Sequence, residues 1–594
     1  MTQNYMKKTR KMNSTEILNV LKYHKETNTC FFDGRKGLFL KGDIPQLVSN
    51  SLFVPLNVYK NIYIYQSRKE ISIELAIIVA NECDENRKGF LTEILFDEIE
   101  KFDFQKNVDT EICTTYNVEK ANKLIAKLIR QQIVKCSCKE RFCIDKLGWQ
   151  NINGKRIYCA GNTVIGDASN LDINCLDELM QYKFEVKSFE NDECAKTNIK
   201  EYLNLYLGLY EEKSALVFAY FILALLKELF EEASIPIRFS MFLTGENQSY
   251  KTTIASYGTA LYYRLTNVEE KIHNLSGSEA QLHRVLDVEK DMVSLIDDLN
   301  LSDSKIIMRE QEKKISSIIF SAANNVGRET MKYRYSINSL VMFCGEYCLT
   351  NTSTNNRLVV IKLEKDGVNK TELTKFEKKA GNLSLFTQWF IEWCSVKYDS
   401  IVWHLKEMFQ EYRNVGDAEE VYQERLKDHY KLLSMSYSIF MQFCDEKGLA
   451  IKLSQEKFDS FLENAMYEQI ELLRLDNIEE NDYVKEVFEY LRNDWDFYVF
   501  EQQGKRNEYW RKDIYYDQDQ EMIYIPGNIL SQLVSGSNEN AISPYKVASQ
   551  FEKLDLLCMD KNKNHSRTKK IKGKRVYCID YCKWEAYIKE TYAK

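Results

Sequence analysis

Proline is scarce in this sequence: 5 residues in 594, beside 22 glycines. So few breakers leave room for long helices, and apolar residues recur at helical spacing, which predicts a helix-rich α/β protein. Long apolar runs are missing too. The longest, ALVFAYFILALL at 215–226, is about half the length that crosses a bilayer and reads as a buried helix. No signal peptide is expected, because MTQNYMKKTRKMNS is polar and basic with no apolar stretch behind it. The 16 scattered cysteines then point to reduced thiols in a cytosol. Excess positive charge is also absent. Lys and Arg number 81 against 88 Asp and Glu, a net charge of −7, so any case for nucleic acid rests on local patches. There is no nucleophile elbow, dinucleotide fingerprint, internal repeat, or N-terminal acidic triplet of a primase centre. Neither Cys136, Cys138 and Cys143 nor Cys558, His565, Cys578 and Cys582 has the C-x-x-C spacing of secure zinc sites.

What is present begins with an α/β region over residues 1–145. Its first helix has a partial cap at Ser14, followed by Ile17 where a capping box needs an acid. VYKNIYIYQSRKEISIELAIIVANEC mixes strand and helix signals, while VEKANKLIAKLIRQQIV (118–134) is an amphipathic helix. KLGWQNINGKRIYCAGNTVIGD (146–167) reads as a strand hairpin turning at NGKR, and a helical stretch follows to about 233.

MFLTGENQSYKTT (241–253) then reads as strand, loop and helix. Phosphate oxygens need converging donors, and backbone N–H groups at a helix N-terminus supply them. The loop Gly245, Glu246, Asn247, Gln248, Ser249, Tyr250, Lys251, Thr252, Thr253 has the composition of a P-loop for ATP. Gly245 permits the turn, Lys251 reaches the β/γ-phosphates, Thr252 binds Mg²⁺ and Thr253 extends the helix. Tyr250 stands where a second glycine is usual; ordinary helical dihedrals there, with the ring turned away, would accommodate it. A plain strand-to-helix turn is the competing reading. MVSLIDDLN (292–300) ends an apolar run in Asp297 and Asp298, the first placed to hold Mg²⁺ with Thr252, the second to polarise the attacking water. A core strand ending in a solvated acidic turn is the alternative. SLVMFCGEYCLTN (339–351) offers Glu346 and Asn351 as γ-phosphate sensors, or an ordinary strand-end turn. Arg357, before the strand LVVIKL, is a candidate arginine finger or a surface arginine.

These segments, in the order LGWQNINGKR, FLTGENQSYKTT, NLSGSEAQLHRVLDVEKDMVSLIDDLN, NNVGRETMKYRYSINSLVMFCGE, NNRLVVIKL, resemble the AAA+-type ATPases of staphylococcal mobile elements, the cassette chromosome helicases, which are similar to MCM replicative helicases. The resemblance covers about 146–365 and, more loosely, the rest of the C-terminal half. It implies that Gly245, Lys251, Thr252 and Asp297 are the Walker residues, with Asp298 replacing the usual Glu. It implies that Arg357 is a finger acting on a neighbouring subunit, and that Arg425 is a lid arginine acting in trans. NNVGRETMKYR would be a pore hairpin, with Arg328, Lys332 and Arg334 on DNA; a basic surface hairpin stays open. The usual sensor Asn is replaced by Gly345-Glu346. A self-assembled hexamer, single-stranded or forked DNA, replication proteins of the same element and a bacterial cytoplasm are implied as setting.

At the C-terminal end, a helix at about 543–553 leads into strand, basic turn and strand. Lys561, Lys563, Arg567, Lys569, Lys570, Lys572, Lys574 and Arg575 occur with no acid between them. This helix-plus-wing pattern suits phosphate contacts; a solvated hairpin, or a wing for protein contacts, fits as well. The expectation is therefore a multidomain α/β protein: an N-terminal α/β domain (1–145), a hairpin and helical segment (146–235), an AAA+ P-loop core (236–365), a helical lid (366–495) and a winged helix (496–594). The function expected is an ATP-dependent, ring-forming DNA helicase for replication of a mobile element. A DNA-binding initiator or loader ATPase without unwinding, and a winged-helix regulator with a dead P-loop, are the alternatives.

Overall fold

The computed structural model describes residues 9–592 except 24–29, 67, 84–85, 115–117, 135, 162, 180–181, 183–192, 263–271, 300–304, 325–327, 330–333, 348, 350, 366, 380–382, 415–420, 480–482, 494–498, 503–513, 536–543, 559–567 and 572–573. The chain divides into two compact units, one up to Gln469 and one from Ile470.

In the first unit a two-residue edge strand, Arg10–Lys11, is followed by a helix, Ser14–Tyr23. Its cap is Asn13 rather than Ser14. Glu16 N donates to Asn13 Oδ1 at 2.9 Å and Asn13 N donates to Glu16 Oε2 at 2.8 Å, a complete capping box displaced by one residue. The segment with mixed signals is a long antiparallel pair, Ser51–Tyr63 with Arg68–Val79. These are the middle strands of a six-stranded sheet, and the amphipathic helix Val118–Ile133 packs on its apolar face. The edge strand Ile173–Cys175 pairs in parallel with Cys138–Ile144, so the sheet takes in residues beyond 145.

The hairpin Gly148–Ile152 with Lys155–Ala160 turns at Asn153-Gly154. Both residues have positive φ, 52° and 83°, as a two-residue type I′ turn requires. A buried polar knot fixes this hairpin to the rest of the unit. Trp149 N donates to Asp291 Oδ2 at 2.9 Å and Trp149 Nε1 to Leu225 O at 2.8 Å. Lys290 Nζ donates to Trp149 O at 2.9 Å and pairs with Glu228 and Asp291. Helix α1 (Glu211–Leu225) carries the long apolar run, and Ala215 to Leu225 are at most 1% exposed. At about 2 kcal/mol for each large side chain removed from water, this helix is a main contributor to the core.

Five parallel strands carry the site: β1 (Ser240–Thr244), β2 (Ile272–Asn274), β3 (Val293–Leu299), β4 (Leu340–Gly345) and β5 (Leu358–Lys362), in the order β2-β3-β4-β1-β5. All but the edge strand β2, which is Ile-His-Asn, read as short apolar runs because helices cover both faces. Helix α2 (Lys251–Gly258) follows β1, α3 (Lys305–Asn324) follows β3 and the short α4 (Thr352–Asn355) precedes β5. The start of the outer edge of β5 is met by one side chain. Gln469 accepts from Val360 N at 3.0 Å and donates to Leu358 O at 2.9 Å, which removes an exposed pairing edge. Helix α5 (Val421–Lys447) packs on α1, with Phe218 and Phe440 rings 4.9 Å apart.

Among its described residues, the second unit holds the end of the helix Gln455–Glu479 and then α6 (Tyr483–Asn493), β6 (Val499–Gln502), β7 (Ile514–Asp517), β8 (Met522–Pro526), α7 (Gly527–Ser535), α8 (Pro544–Lys553), β9 (Thr568–Ile571), β10 (Lys574–Asp580) and α9 (Tyr581–Tyr592), the strands forming one five-stranded sheet. The sheet order is β6-β7-β8-β10-β9, parallel only between β6 and β7. Val484, Phe488, Leu530, Val547, Phe551 and Trp584 form its core. No helix among the described residues is long and apolar enough to cross a membrane.

Gly148 lies at φ +82°, and a Cβ there would stand 2.5 Å from Lys290 O and 2.6 Å from Asp291 Oδ2. Gly148→Ala should therefore destabilise the first unit by about 3 kcal/mol. Urea unfolding followed by tryptophan fluorescence checks this; an unchanged midpoint refutes it.

Candidate nucleotide site

Strand β1 is buried along its length and delivers the chain into the loop at the carboxyl edge of the sheet, where open α/β sheets bind ligands. Gly245, at φ +156°, has no room for a side chain: a Cβ would lie 2.2 Å from Leu363 O. Glu246, Asn247 and Gln248 are exposed and Ser249 is buried. Exposed Lys365 pairs with Glu246 at 2.8 Å.

The expectation for Tyr250 is corrected. Tyr250 is the N-cap of α2 and sits at φ 62°, ψ 20°, in the left-handed region, not in the right-handed helical region expected from the sequence. The loop keeps the backbone that a second glycine would supply, and the tyrosine bears the steric cost of its β-carbon there. The strain is offset locally by the first helical bond, Ile254 N to Tyr250 O at 3.0 Å.

Lys251 is buried. Its amine folds back onto the loop, donating to Gly245 O at 2.7 Å, Glu246 O at 2.8 Å and Ser249 Oγ at 3.3 Å. Burial pushes its pKa down, opposed by the pull of Cys344, Glu346 and Asp297. Thr252 Oγ1 donates to Asp297 Oδ2 at 2.8 Å, so the structure joins the two residues expected to share a divalent cation. Their oxygens are hard donors, which suits Mg²⁺. Thr253 follows, half-buried on the first turn.

Asp297 and Asp298 occupy an irregularity in the ladder. Ile296 pairs with Phe343 and Leu299 with Gly345, so β3 carries one residue more than β4 at this point. Asp298 absorbs the extra residue at φ 79°; Asp tolerates this conformation better than most side chains. Bulges of this kind re-aim side chains beside active sites. Here Asp298 N donates to Asp297 Oδ1 at 2.8 Å, and the Asp298 carboxylate accepts from Asn274 Nδ2 at the end of β2. Asn274 was not among the residues picked from the sequence. Its only signal is an Asn at a strand end before the turn Ser276-Gly277-Ser278.

Glu346 follows β4, beside the P-loop strand, with its N–H on Leu299 O at 3.0 Å. Asn351 is exposed and its side chain is engaged elsewhere: Oδ1 accepts from Thr354 N at 3.2 Å, capping α4. Arg357 lies just before β5. Because Thr244 pairs with Lys362 and Ser240 with Leu358, it sits at the opposite end of the sheet from the P-loop, about 15 Å along the strand. Arg357 donates to Ser353 O at 2.8 Å and stacks over Phe320 at 4.7 Å. Burial lowers its pKa, with a further push from Arg425, so the structure brings these two candidate cations near each other. His429, on α5, stacks on Phe239 at 4.7 Å between rings. Burial and the two arginines bring its pKa down to about 3.

Arg328 and Arg334 lie on the paired strands Arg328–Glu329 and Arg334–Tyr335, a hairpin between α3 and β4; Lys332 lies outside the described residues. In the second unit, Lys569 and Lys570 fall on β9, Lys574 and Arg575 on β10, with Lys570 opposite Arg575. Arg575 is exposed, and Lys561, Lys563, His565, Arg567 and Lys572 lie outside the described residues. Among the described residues, no group of three or more His, Cys, Asp or Glu side chains could hold a metal ion. The buried Cys143 thiol is pushed up to about 11 by desolvation.

Two outcomes follow from this geometry. Tyr250→Gly should retain ATP binding and raise stability by about 1 kcal/mol; fluorescent-nucleotide titration and denaturation measure both, and lost binding refutes it. His429 binds fewer protons folded than unfolded, so its stability contribution is present above about pH 6.5 and is lost as pH falls towards 3. The slope is about 1.4 kcal/mol per pH unit. Unfolding midpoints between pH 6.5 and 4 should fall less steeply in His429→Gln, and equal slopes refute the assignment.

No family model and no curated protein matches the sequence. Among solved structures the chain is similar to one described as "SCCmec type IV Cch - active helicase", with a TM-score of 0.58 and 12% identity over 94% of this chain and 98% of that one. A second, "The X-ray structure of JCV Helicase", aligns with 42% of this chain and 74% of that one at 14% identity; its TM-score of 0.21 carries no argument. The chain thus shares the fold of the Cch helicase along nearly its whole length, the same kind of protein that its motifs resemble.

Proposed function

We propose that this chain is an ATP-dependent, ring-forming, MCM-like DNA helicase that serves replication of a mobile genetic element. The observation that carries the reading is the bond from Thr252 Oγ1 to Asp297 Oδ2 at 2.8 Å, made at the carboxyl edge of a parallel sheet beside a glycine-initiated phosphate loop. On this reading Lys251 exchanges its loop carbonyls for the β/γ-phosphates of ATP. Thr252 and Asp297 hold Mg²⁺, which neutralises charge developing on the phosphoryl group. Asp298 orients the attacking water, and Asn274 holds that carboxylate until hydrolysis.

Arg357 is too far from its own loop to stabilise its own γ-phosphate. Its place at the other end of β5 supports a role on a neighbouring subunit, with Arg425 beside it. Head-to-tail contacts of this type close into rings, so a hexamer fits. The hairpin of Arg328 and Arg334 is the proposed DNA contact in the pore. In the second unit the order α6, β8, α7, α8, β9, β10, with β10 between β8 and β9, supports a winged helix whose basic β9–β10 wing meets phosphates. Domain limits of 1–145, 146–235, 236–365, 366–495 and 496–594 remain part of the proposal, with the strand Ile173–Cys175 and α6 falling outside the first and last of them, as do Glu346 and Asn351 as sensors.

Lys251→Ala and Arg357→Ala should each reduce ATP hydrolysis about a thousandfold, and mixing the two variants should restore part of it by pairing an intact site with an intact finger. Displacement of a strand from forked DNA with each tail polarity tests the motor. Hydrolysis without displacement identifies an initiator or loader instead, and no hydrolysis by the wild-type chain identifies a regulator with an inactive loop.

A further inference from the structure

Two acids, Asp298 and Glu346, leave the carboxyl edge of the sheet close to the phosphate loop, and they are held in different ways. Asp298 is the extra residue of the β3 bulge, at φ 79° and out of step with β4. Its carboxylate is taken by Asn274 at the end of β2, the outermost strand in the order β2-β3-β4-β1-β5. At about 5 Å between neighbouring strands, β2 stands about 14 Å from β1. Glu346 leaves from β4, which pairs directly with β1. Thr244, the last residue of β1, lies level with Gly345, so Glu346 is the first residue beyond the edge where β1 turns into the loop. Its N–H donates to Leu299 O at 3.0 Å, which extends the β3–β4 pairing by one bond and fixes its backbone. The Glu346 carboxylate also acts on Lys251. Burial lowers the pKa of that amine, and of the two carboxylates opposing the shift Glu346 pulls harder than Asp297. Lys251 is the amine that meets the β/γ-phosphates in the reading above, so Glu346 brings its carboxylate to the ground shared by the γ-phosphate and the attacking water.

We infer that Glu346 is a catalytic residue that takes the proton from the water attacking the γ-phosphate, while Asp298 orients that water. This rests on the reading of the chain as an ATPase. The water oxygen bonds to the γ-phosphorus as its O–H proton passes to a Glu346 oxygen. The bond from the γ-phosphorus to the bridging oxygen breaks, and its electron pair leaves with ADP. Glu346 then gives the proton to solvent, which restores the carboxylate. A proton moves only between atoms within hydrogen-bond reach, and the sheet order separates the two acids by distance: Glu346 stands one strand from β1 and Asp298 two. Glu346 also has the longer arm. An amide at this position could bond a γ-phosphate oxygen, but only a carboxylate can take the proton.

Variants of the full chain separate those two roles. Glu346→Gln keeps a side chain of the same length that still bonds a phosphate oxygen but accepts no proton. It should lower kcat for ATP hydrolysis about a hundredfold, with KM and the affinity for a fluorescent ATP analogue within about twofold of wild type. Asp298→Asn, whose amide still holds a water, should lose less, and Glu346→Asp should fall between wild type and Glu346→Gln. Hydrolysis by Glu346→Gln within about threefold of wild type overturns the inference and leaves Glu346 a phosphate sensor. A larger loss in Asp298→Asn than in Glu346→Gln overturns it as well, and so does a Glu346→Gln variant that loses ATP binding along with its rate. In each of these cases the ATPase reading stands. A wild-type chain that hydrolyses no ATP overturns both.

Discussion

Parallel pairing of β3, β4 and β1 in near-perfect register is the constraint on which the site depends. Met241, Met342 and Leu295 lie abreast, and so do Thr244, Gly345 and Leu299. Because all three strands run the same way, they release their chains at one edge of the sheet. The loop, the two aspartates and Glu346 come from segments far apart in sequence, yet this edge gathers them, and the bonds from Thr252 to Asp297 and from Glu346 N to Leu299 O join them there. The strand between the loop and the acids ends in Gly345, where a Cβ would stand 2.9 Å from the Phe242 ring and 3.0 Å from Leu299. A larger residue there would prise apart the two strands that must stay level.

The rest of the first unit supports that edge from behind. The knot of Trp149, Lys290, Asp291 and Glu228 buries charge, which is costly unless every partner is present. It is placed where β3 begins, so the hairpin at 148–160 and the strand carrying the aspartates are fixed by the same groups. Asp291 is fully buried and bears a φ of 56°. Gln469 performs a smaller service at the other side of the sheet, where it bonds Leu358 O and Val360 N of β5.

How much of this could be read beforehand follows from what each feature depends on. The strands β1, β3, β4 and β5 were legible because burial on both faces writes an unbroken apolar run. The helices at 118–133 and 211–225 were legible from periodicity and from length. The loop residues Gly245, Lys251 and Thr252 were picked from residue type and spacing, and the structure places them together where β1 runs into α2. The backbone of Tyr250 was misjudged, since spacing says which residue stands at a position but not which dihedral the loop closure imposes. The bulge at Asp297-Asp298 depends on the pairing partner, Gly345, some 47 residues later in the chain, and no local pattern encodes it. Asn274 escaped notice for the same reason: its contact with Asp298 exists only through the tertiary fold. The strands 51–63 and 68–79 gave a mixed signal because alternation in KEISIEL passes into the continuous run AIIV as the strand enters the core.

The inward fold of the Lys251 amine has a consequence for what the loop can admit. Two carbonyls and a hydroxyl accept from the ammonium, so the amine braces the loop from inside as an internal chelate. Carbonyl oxygens carry only partial charge, whereas phosphate oxygens carry formal charge. Exchange is downhill for a ligand bringing several negative charges at once and close to neutral for one bringing few. The three internal acceptors therefore set a charge threshold that an anion must exceed to draw the Lys251 amine out of the loop.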